Sequence, residues 1–178
     1  MRFSARKLTT MAVLTAVALV IFVVEAQIPL PVPIPGVKLG LANAVTLFAL
    51  FYGSGKEKSA AGLTTLDAFL MLVCRIVLGA ALTGRLVAFV YSIAGGLLAF
   101  TAQAAMKRLV TKRQIWVCGA VGAVFHNIGQ IAAAMLIMRT TAIITYLPVL
   151  TMAGIVTGVF TGLVAQFTLS RLSHTPHS

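Results

Sequence analysis

Residues 8–38 read LTTMAVLTAVALVIFVVEAQIPLPVPIPGVK, and this stretch decides the fold. From Leu8 to Ile28 it is predominantly apolar, and about 20 such residues cross the hydrocarbon core of a bilayer as one helix. Then Pro29, Pro31, Pro33 and Pro35 alternate before Gly36. Each proline lacks a backbone donor and cannot sit inside a helix. The segment is therefore an extended, apolar loop, expected to fold back over the protein rather than hang in water.

Working outward, the charges fall in the gaps between apolar runs, and the gaps alternate between crowded and sparse. The crowded ones hold Arg2/Arg6/Lys7, Lys56/Lys58, Lys107/Arg108/Lys112/Arg113 and Arg171; the sparse ones hold Lys38, Arg85 and Arg139. Cytoplasmic loops are enriched in Lys and Arg. The pattern predicts an all-α integral membrane protein of six transmembrane spans with both termini cytoplasmic. The spans are expected near Leu8–Ile28, Leu39–Tyr52 (short), Ala61–Leu82, Leu86–Met106, Ile115–Met138 and Ile143–Leu169. A single membrane domain covers 1–172, and 173–178 form a polar tail.

Composition agrees. The chain has 178 residues, of which 60% are hydrophobic and 10% charged, against about 25% charged in soluble domains. The net charge of +11 does not point to nucleic acid, because no basic stripe is interleaved with aromatics. It suits cytoplasmic loops and anionic membrane lipids. Cys74 and Cys118 lie in different apolar runs and read as small core residues. The apolar run after the basic start is longer than a signal-peptide core, so the first segment reads as an uncleaved span. No G-x-x-x-x-G-K-[ST] is present, so ATP hydrolysis is not expected here.

Polar groups inside a membrane are costly and face a bundle interior or a cavity. On this topology Glu25, Asn43, Arg75, Tyr91, His126, Asn127 and Gln130 all fall between the middle and the outer half. They predict a pocket opening outward beneath the proline-rich loop. Arg75 cannot shed its charge, so it needs a carboxylate, for which Glu25 is at the right depth, or an anionic ligand. His126 and Gln130 are spaced i, i+4 and share a helix face. They read either as ligand contacts or as interhelical hydrogen bonds. Asp67, in the cytoplasmic half of its span, reads as a partner for a cytoplasmic loop lysine, with proton coupling as the alternative. Gly154, Gly158 and Gly162 form a close-packing ridge. Ala12 and Ala16 form a second small-residue pair. One histidine without a nearby cysteine or carboxylate on its helix argues against a metal site.

The stretches KLTTMAVLTAVALVIFVVEAQIPLPVPIPGVKLGLANAVTLFALFYG, SIAGGLLA, GAVFHNIGQ and YLPVLTMAGIVTGVFTGL together resemble the Gx transporter family, also labelled heptaprenyl diphosphate synthase component I. That family is similar to the substrate-binding S components of energy-coupling factor (ECF) importers. The resemblance implies a six-helix bundle with an outward pocket. It assigns the lid to Pro29, Pro31, Pro33, Pro35 and Gly36, and docking on a transmembrane coupling subunit to Ala12 and Ala16. It also implies a coupling subunit and two ATPases as partners, no cofactor, and residence in a bacterial cytoplasmic membrane. Substrate contacts would come from Lys38, Asn43, Arg75, Tyr91, His126, Asn127 and Gln130, with Lys38 and Arg75 suggesting an anionic or carboxylate-bearing metabolite.

The second family label implies prenyl chain elongation, which needs clusters of aspartates to hold magnesium. The chain has three acidic residues in all, so it is not expected to be an enzyme. A non-catalytic accessory role in isoprenoid or quinone synthesis stays open beside the importer reading. A stand-alone proton-coupled carrier, which would require Asp67, is a third possibility.

Overall fold

The computed structural model describes residues 4–28, 38–52 and 62–173. The expected lid residues Pro29, Pro31, Pro33, Pro35 and Gly36, and the tail beyond 173, lie outside the described residues.

Helix α1, Ala5–Glu25, begins where the Ser4 hydroxyl accepts the Lys7 N–H at 3.2 Å, satisfying a donor that the first turn leaves orphaned. Helix α2 is Asn43–Tyr52 and α3 is Thr65–Thr83. The latter opens with a reciprocal cap between Thr64 and Asp67 and closes on Gly84, whose φ of +64° is the left-handed conformation that suits a helix stop. Helices α4, Leu86–Met106, and α5, Ile115–Met138, are joined through a short 3-10 turn at Lys112–Gln114. A second 3-10 turn, Thr141–Tyr146, leads into α6, Leu147–Ser173. Pro148 stands in the first turn of α6, where its missing donor has no helical partner to lose.

Among the described residues, five helical stretches are long and apolar enough to cross a membrane: Ala5–Glu25, Thr65–Thr83, Leu86–Met106, Lys112–Met138 and Thr141–Leu172. The expected span at Leu39–Tyr52 is not a sixth such helix. Its helical part, α2, has 10 residues, roughly 15 Å at 1.5 Å per residue, about half the hydrocarbon thickness. The physical reason lies in the residues before it. Gly40 has φ +81°, and the Glu25 carboxylate accepts the backbone N–H groups of Gly40 and Ala42, which holds this stretch out of the helix. What remains is wedged among the others: Val45, Leu47, Ala49, Leu50 and Phe51 are buried, and α2 packs on all five longer helices.

The most extensive packing is α4 on α5 and α5 on α6. The ridge read from Gly154, Gly158 and Gly162 explains the second. A Cβ on Gly158 would lie 2.6 Å from the Gly119 carbonyl oxygen, and one on Gly162 would lie 2.6 Å from the Trp116 Cα. Small residues let two backbones approach closely in a membrane. Outward, α1 and α6 present Val13, Val17, Val20, Met152, Val156 and Phe160 to the surroundings, as lipid-facing helices do.

Three contacts fix the ends. The Lys7 ammonium on α1 meets the Asp67 carboxylate on α3 at 2.7 Å. Tyr52 at the end of α2 shares a groove with Thr9 and Thr10. Ser170 on α6 shares one with Lys112 and Arg113. The lysine that Asp67 holds is thus on α1, not in a loop. Among the described residues, Lys7, Lys112, Arg113 and Arg171 therefore gather at one end of the bundle, and Lys38 stands with Glu25 at the other.

Candidate functional site

Arg75 is 3% exposed, at mid-bundle on α3. Its Nη2 donates to Asn43 Oδ1 on α2 at 2.9 Å. A guanidinium only donates, so this bond fixes the Asn43 amide with its NH2 pointing away. That NH2 lies 3.2 Å from His126 Nδ1 on α5. The amide nitrogen only donates, so Nδ1 accepts from it in the tautomer that carries the ring proton on Nε2. Three buried side chains from three helices form one relay: Arg75, Asn43, His126. The ring packs against glycines on both sides, since a Cβ on Gly40 would stand 2.9 Å from His126 Cδ2 and one on Gly95 2.8 Å from Nδ1.

One turn along α5, Gln130 grips the chain just after the proline-rich segment. Its Oε1 accepts the Lys38 N–H at 2.9 Å, and its Nε2 donates to the Lys38 carbonyl at 2.7 Å. The i, i+4 pair His126 and Gln130 therefore shares a face, as its spacing predicts, and that face meets the segment from Lys38 to Gly40. The Lys38 ammonium sits 3.1 Å above the centre of the Phe22 ring, a cation–π contact. Burial pushes this ammonium down to about 8, Glu25 opposing and Arg75 reinforcing the shift.

The expected Arg75–Glu25 partnership takes an indirect form. The two charges act on each other, but the Glu25 carboxylate holds the backbone of Gly40 and Ala42, and no direct ion pair joins them among the described residues. Glu25 is a loop anchor. Two further candidates stand apart. Asn127 turns toward α6 and donates to the Leu150 carbonyl at 2.5 Å, an interhelical staple next to Gly154. Tyr91 lies in an apolar cluster with Ile131, Ala134, Ile143 and Leu150, its hydroxyl without a partner among the described residues. The structure thus brings together Lys38, Asn43, Arg75, His126 and Gln130. Ala12 and Ala16 are exposed on α1, away from this cluster.

Some members of the site escaped the sequence reading. Gly40 and Gly95 make room for the imidazole, and Phe22 receives Lys38. Gln103, buried on α4, lines a cavity of about 10 Å³ with Gly40, Asn43, Ala123, Thr157 and Thr161, room for about one water. A glutamine inside an otherwise apolar span was the available signal. A metal is not suggested, since no cluster of three His, Cys, Asp or Glu occurs among the described residues.

A bundle of long apolar helices around a buried cationic and amide cluster defines a multi-pass helical membrane protein. The chain belongs to the heptaprenyl diphosphate synthase component I family, whose model matches residues 14–168. No curated protein and no solved structure matches it.

Proposed function

We propose that this chain is the substrate-binding membrane subunit, or S component, of an ECF-type importer, taking up a small anionic metabolite. The carrying observation is the clasp of Gln130 on the backbone of Lys38, directly beside the Arg75–Asn43–His126 relay. It ties the end of the proline-rich segment to the buried polar cluster, the arrangement a lid over a pocket requires. Alternating access needs two conformations of different substrate affinity, and a two-bond clasp at the rim is a contact that one conformation makes and the other releases. In this reading the chain makes six crossings of a bacterial cytoplasmic membrane, with both termini inside. Arg75 and Lys38 supply positive charge to the ligand, and Ala12 and Ala16 dock on a coupling subunit that works with two ATPases. Their exposure on α1 supports that last role.

A second reading rests on the family's description: a non-catalytic membrane component in heptaprenyl diphosphate synthesis. The chain is not itself an enzyme. Of its three acidic residues, Glu25 anchors the loop and Asp67 is held by Lys7 and by its cap on Thr64. No cluster is left to hold magnesium and diphosphate. Those same bonds on Asp67 count against a proton-coupled carrier.

Affinity purification of the tagged chain from native membranes, beside an Ala12→Leu/Ala16→Leu variant, separates the two readings. The importer reading expects a coupling subunit and ATPases with the parent chain and their loss in the variant. Recovery of a prenyl synthase without ATPases would transfer the function to the second reading.

A further inference from the structure

At the basic end of the bundle, remote from the polar cluster, a groove of about 410 Å³ runs between the Lys112–Gln114 turn and the last turns of α6. It is lined by Lys112 and Arg113 from the turn and by Leu163 and Phe167 from α6. Arg171 adds a third cation, its guanidinium 4.9 Å from the centre of the Phe167 ring. The wall is apolar and exposed, Leu163 at 47% and Phe167 at 60%, on a helix whose neighbouring surface is lipid-facing. Glu25 and Asp67, the described carboxylates, are engaged elsewhere. The groove thus sets cations beside apolar side chains, the pairing that a phosphate head on a hydrocarbon tail requires.

We propose that this groove binds one anionic phospholipid whose head carries free hydroxyls, of the phosphatidylglycerol kind. Lys112, Arg113 and Arg171 receive the phosphate; the acyl chain lies along Leu163 and Phe167. Basic pockets between helices on the cytoplasmic side are suited to such heads. Gln166 selects the hydroxyls. It lines the groove, and its Oε1 is enclosed without a hydrogen-bond partner among the described residues. An enclosed acceptor is costly to leave unpaired. An ionised phosphate oxygen only accepts and cannot satisfy it, whereas a glycerol hydroxyl donates to it. A prenyl diphosphate, which shares the phosphate and the tail, has no hydroxyl to offer. The site is independent of the importer reading.

The test is native mass spectrometry of the full chain released from nanodiscs of phosphatidylglycerol, phosphatidic acid or phosphatidylcholine. The parent chain is expected to retain phosphatidylglycerol most strongly. Lys112→Gln, Arg113→Gln and Arg171→Gln each weaken that retention about fivefold, the size expected for a basic residue near an anionic surface. Gln166→Leu keeps the cations and abolishes the preference for phosphatidylglycerol over phosphatidic acid. Equal retention of phosphatidylcholine, or single variants that retain phosphatidylglycerol like the parent, overturns the site. Displacement of phosphatidylglycerol by an equimolar soluble prenyl diphosphate overturns the lipid assignment and gives the groove to the family's namesake chemistry.

Discussion

Replacing Gln130 by Ala should loosen the loop without loosening the bundle. Gln130 is 1% exposed and makes two hydrogen bonds to one backbone residue, at 2.9 and 2.7 Å. If Lys38 stayed in place after the substitution, its N–H and C=O would be left unpaired, at about 1–3 kcal/mol each. Release to water is the cheaper route, and it forfeits only the net value of the bonds, about 1 kcal/mol each. A total of about 2 kcal/mol is roughly a 30-fold shift in the opening equilibrium. Hydrogen exchange followed by mass spectrometry should therefore show the Lys38 amide exchanging about 30-fold faster, on the same estimate. The neighbouring anchor is untouched, because Glu25 still holds Gly40 and Ala42, so the acceleration should fade by Ala42. Within α5 alanine is a better helix former than glutamine, and exchange there should not rise. Unchanged exchange at Lys38, or acceleration spread evenly through α5, would refute the reasoning.

Three further expectations follow from other contacts. Gly158→Ala places a Cβ 2.6 Å from the Gly119 carbonyl and 2.7 Å from the Ala123 Cβ, so α5 and α6 must separate, at about 1–3 kcal/mol; an unshifted thermal midpoint in detergent would contradict this. Asp67→Leu removes the carboxylate that the Lys7 ammonium, on a side chain only 11% exposed, meets at 2.7 Å, at about 3–5 kcal/mol for breaking a buried pair, and adding Lys7→Met should recover part of the loss; a double variant no more stable than Asp67→Leu would deny the pair its role. Lys38 carries the pH dependence: its ammonium is pushed down from 10.5 to about 8, so the folded state holds fewer protons than the unfolded between these values, and stability rises with pH through that window. Affinity for an anionic ligand should instead fall as pH passes about 8, as the charge is lost, and Lys38→Arg should flatten the profile; the same fall in Lys38→Arg would exclude Lys38 as its source.

Helix positions were legible because membrane helices are written in long apolar runs with charged gaps. Leu86–Met106 and Ile115–Met138 coincide with the expected spans. The second segment was legible as short, but its helical part is shorter than Leu39–Tyr52 because periodicity does not reveal that Glu25, fifteen residues before Gly40, takes the backbone donors a helix would have used. The site was legible by depth but not by direction. His126 and Asn127 are neighbours in sequence, yet successive helical residues point about 100° apart, so one faces the loop and the other staples α6. Tyr91 had the right depth and faces an apolar cluster. The glycines that flank His126 carry no side chain to announce them; only the need for space around a buried ring accounts for Gly40 and Gly95.

The relay also limits how a ligand can enter. In the clasped state the cavity beside Asn43 has about 10 Å³, room for about one water. Under the importer function proposed above, a metabolite would enter when Lys38 leaves Gln130. Its apparent affinity is then the intrinsic affinity reduced by the fraction of open molecules. The same glutamine that closes the loop thereby sets a threshold that an arriving ligand must overcome. A ligand able to replace the clasp has Arg75, Asn43 and His126 as its first polar neighbours. Arg75 Nε lacks a partner among the described residues, so a buried cationic donor stands ready for an acceptor. An anion that takes that bond gains an interaction the closed, empty molecule does not make, which is the differential contact a population shift requires.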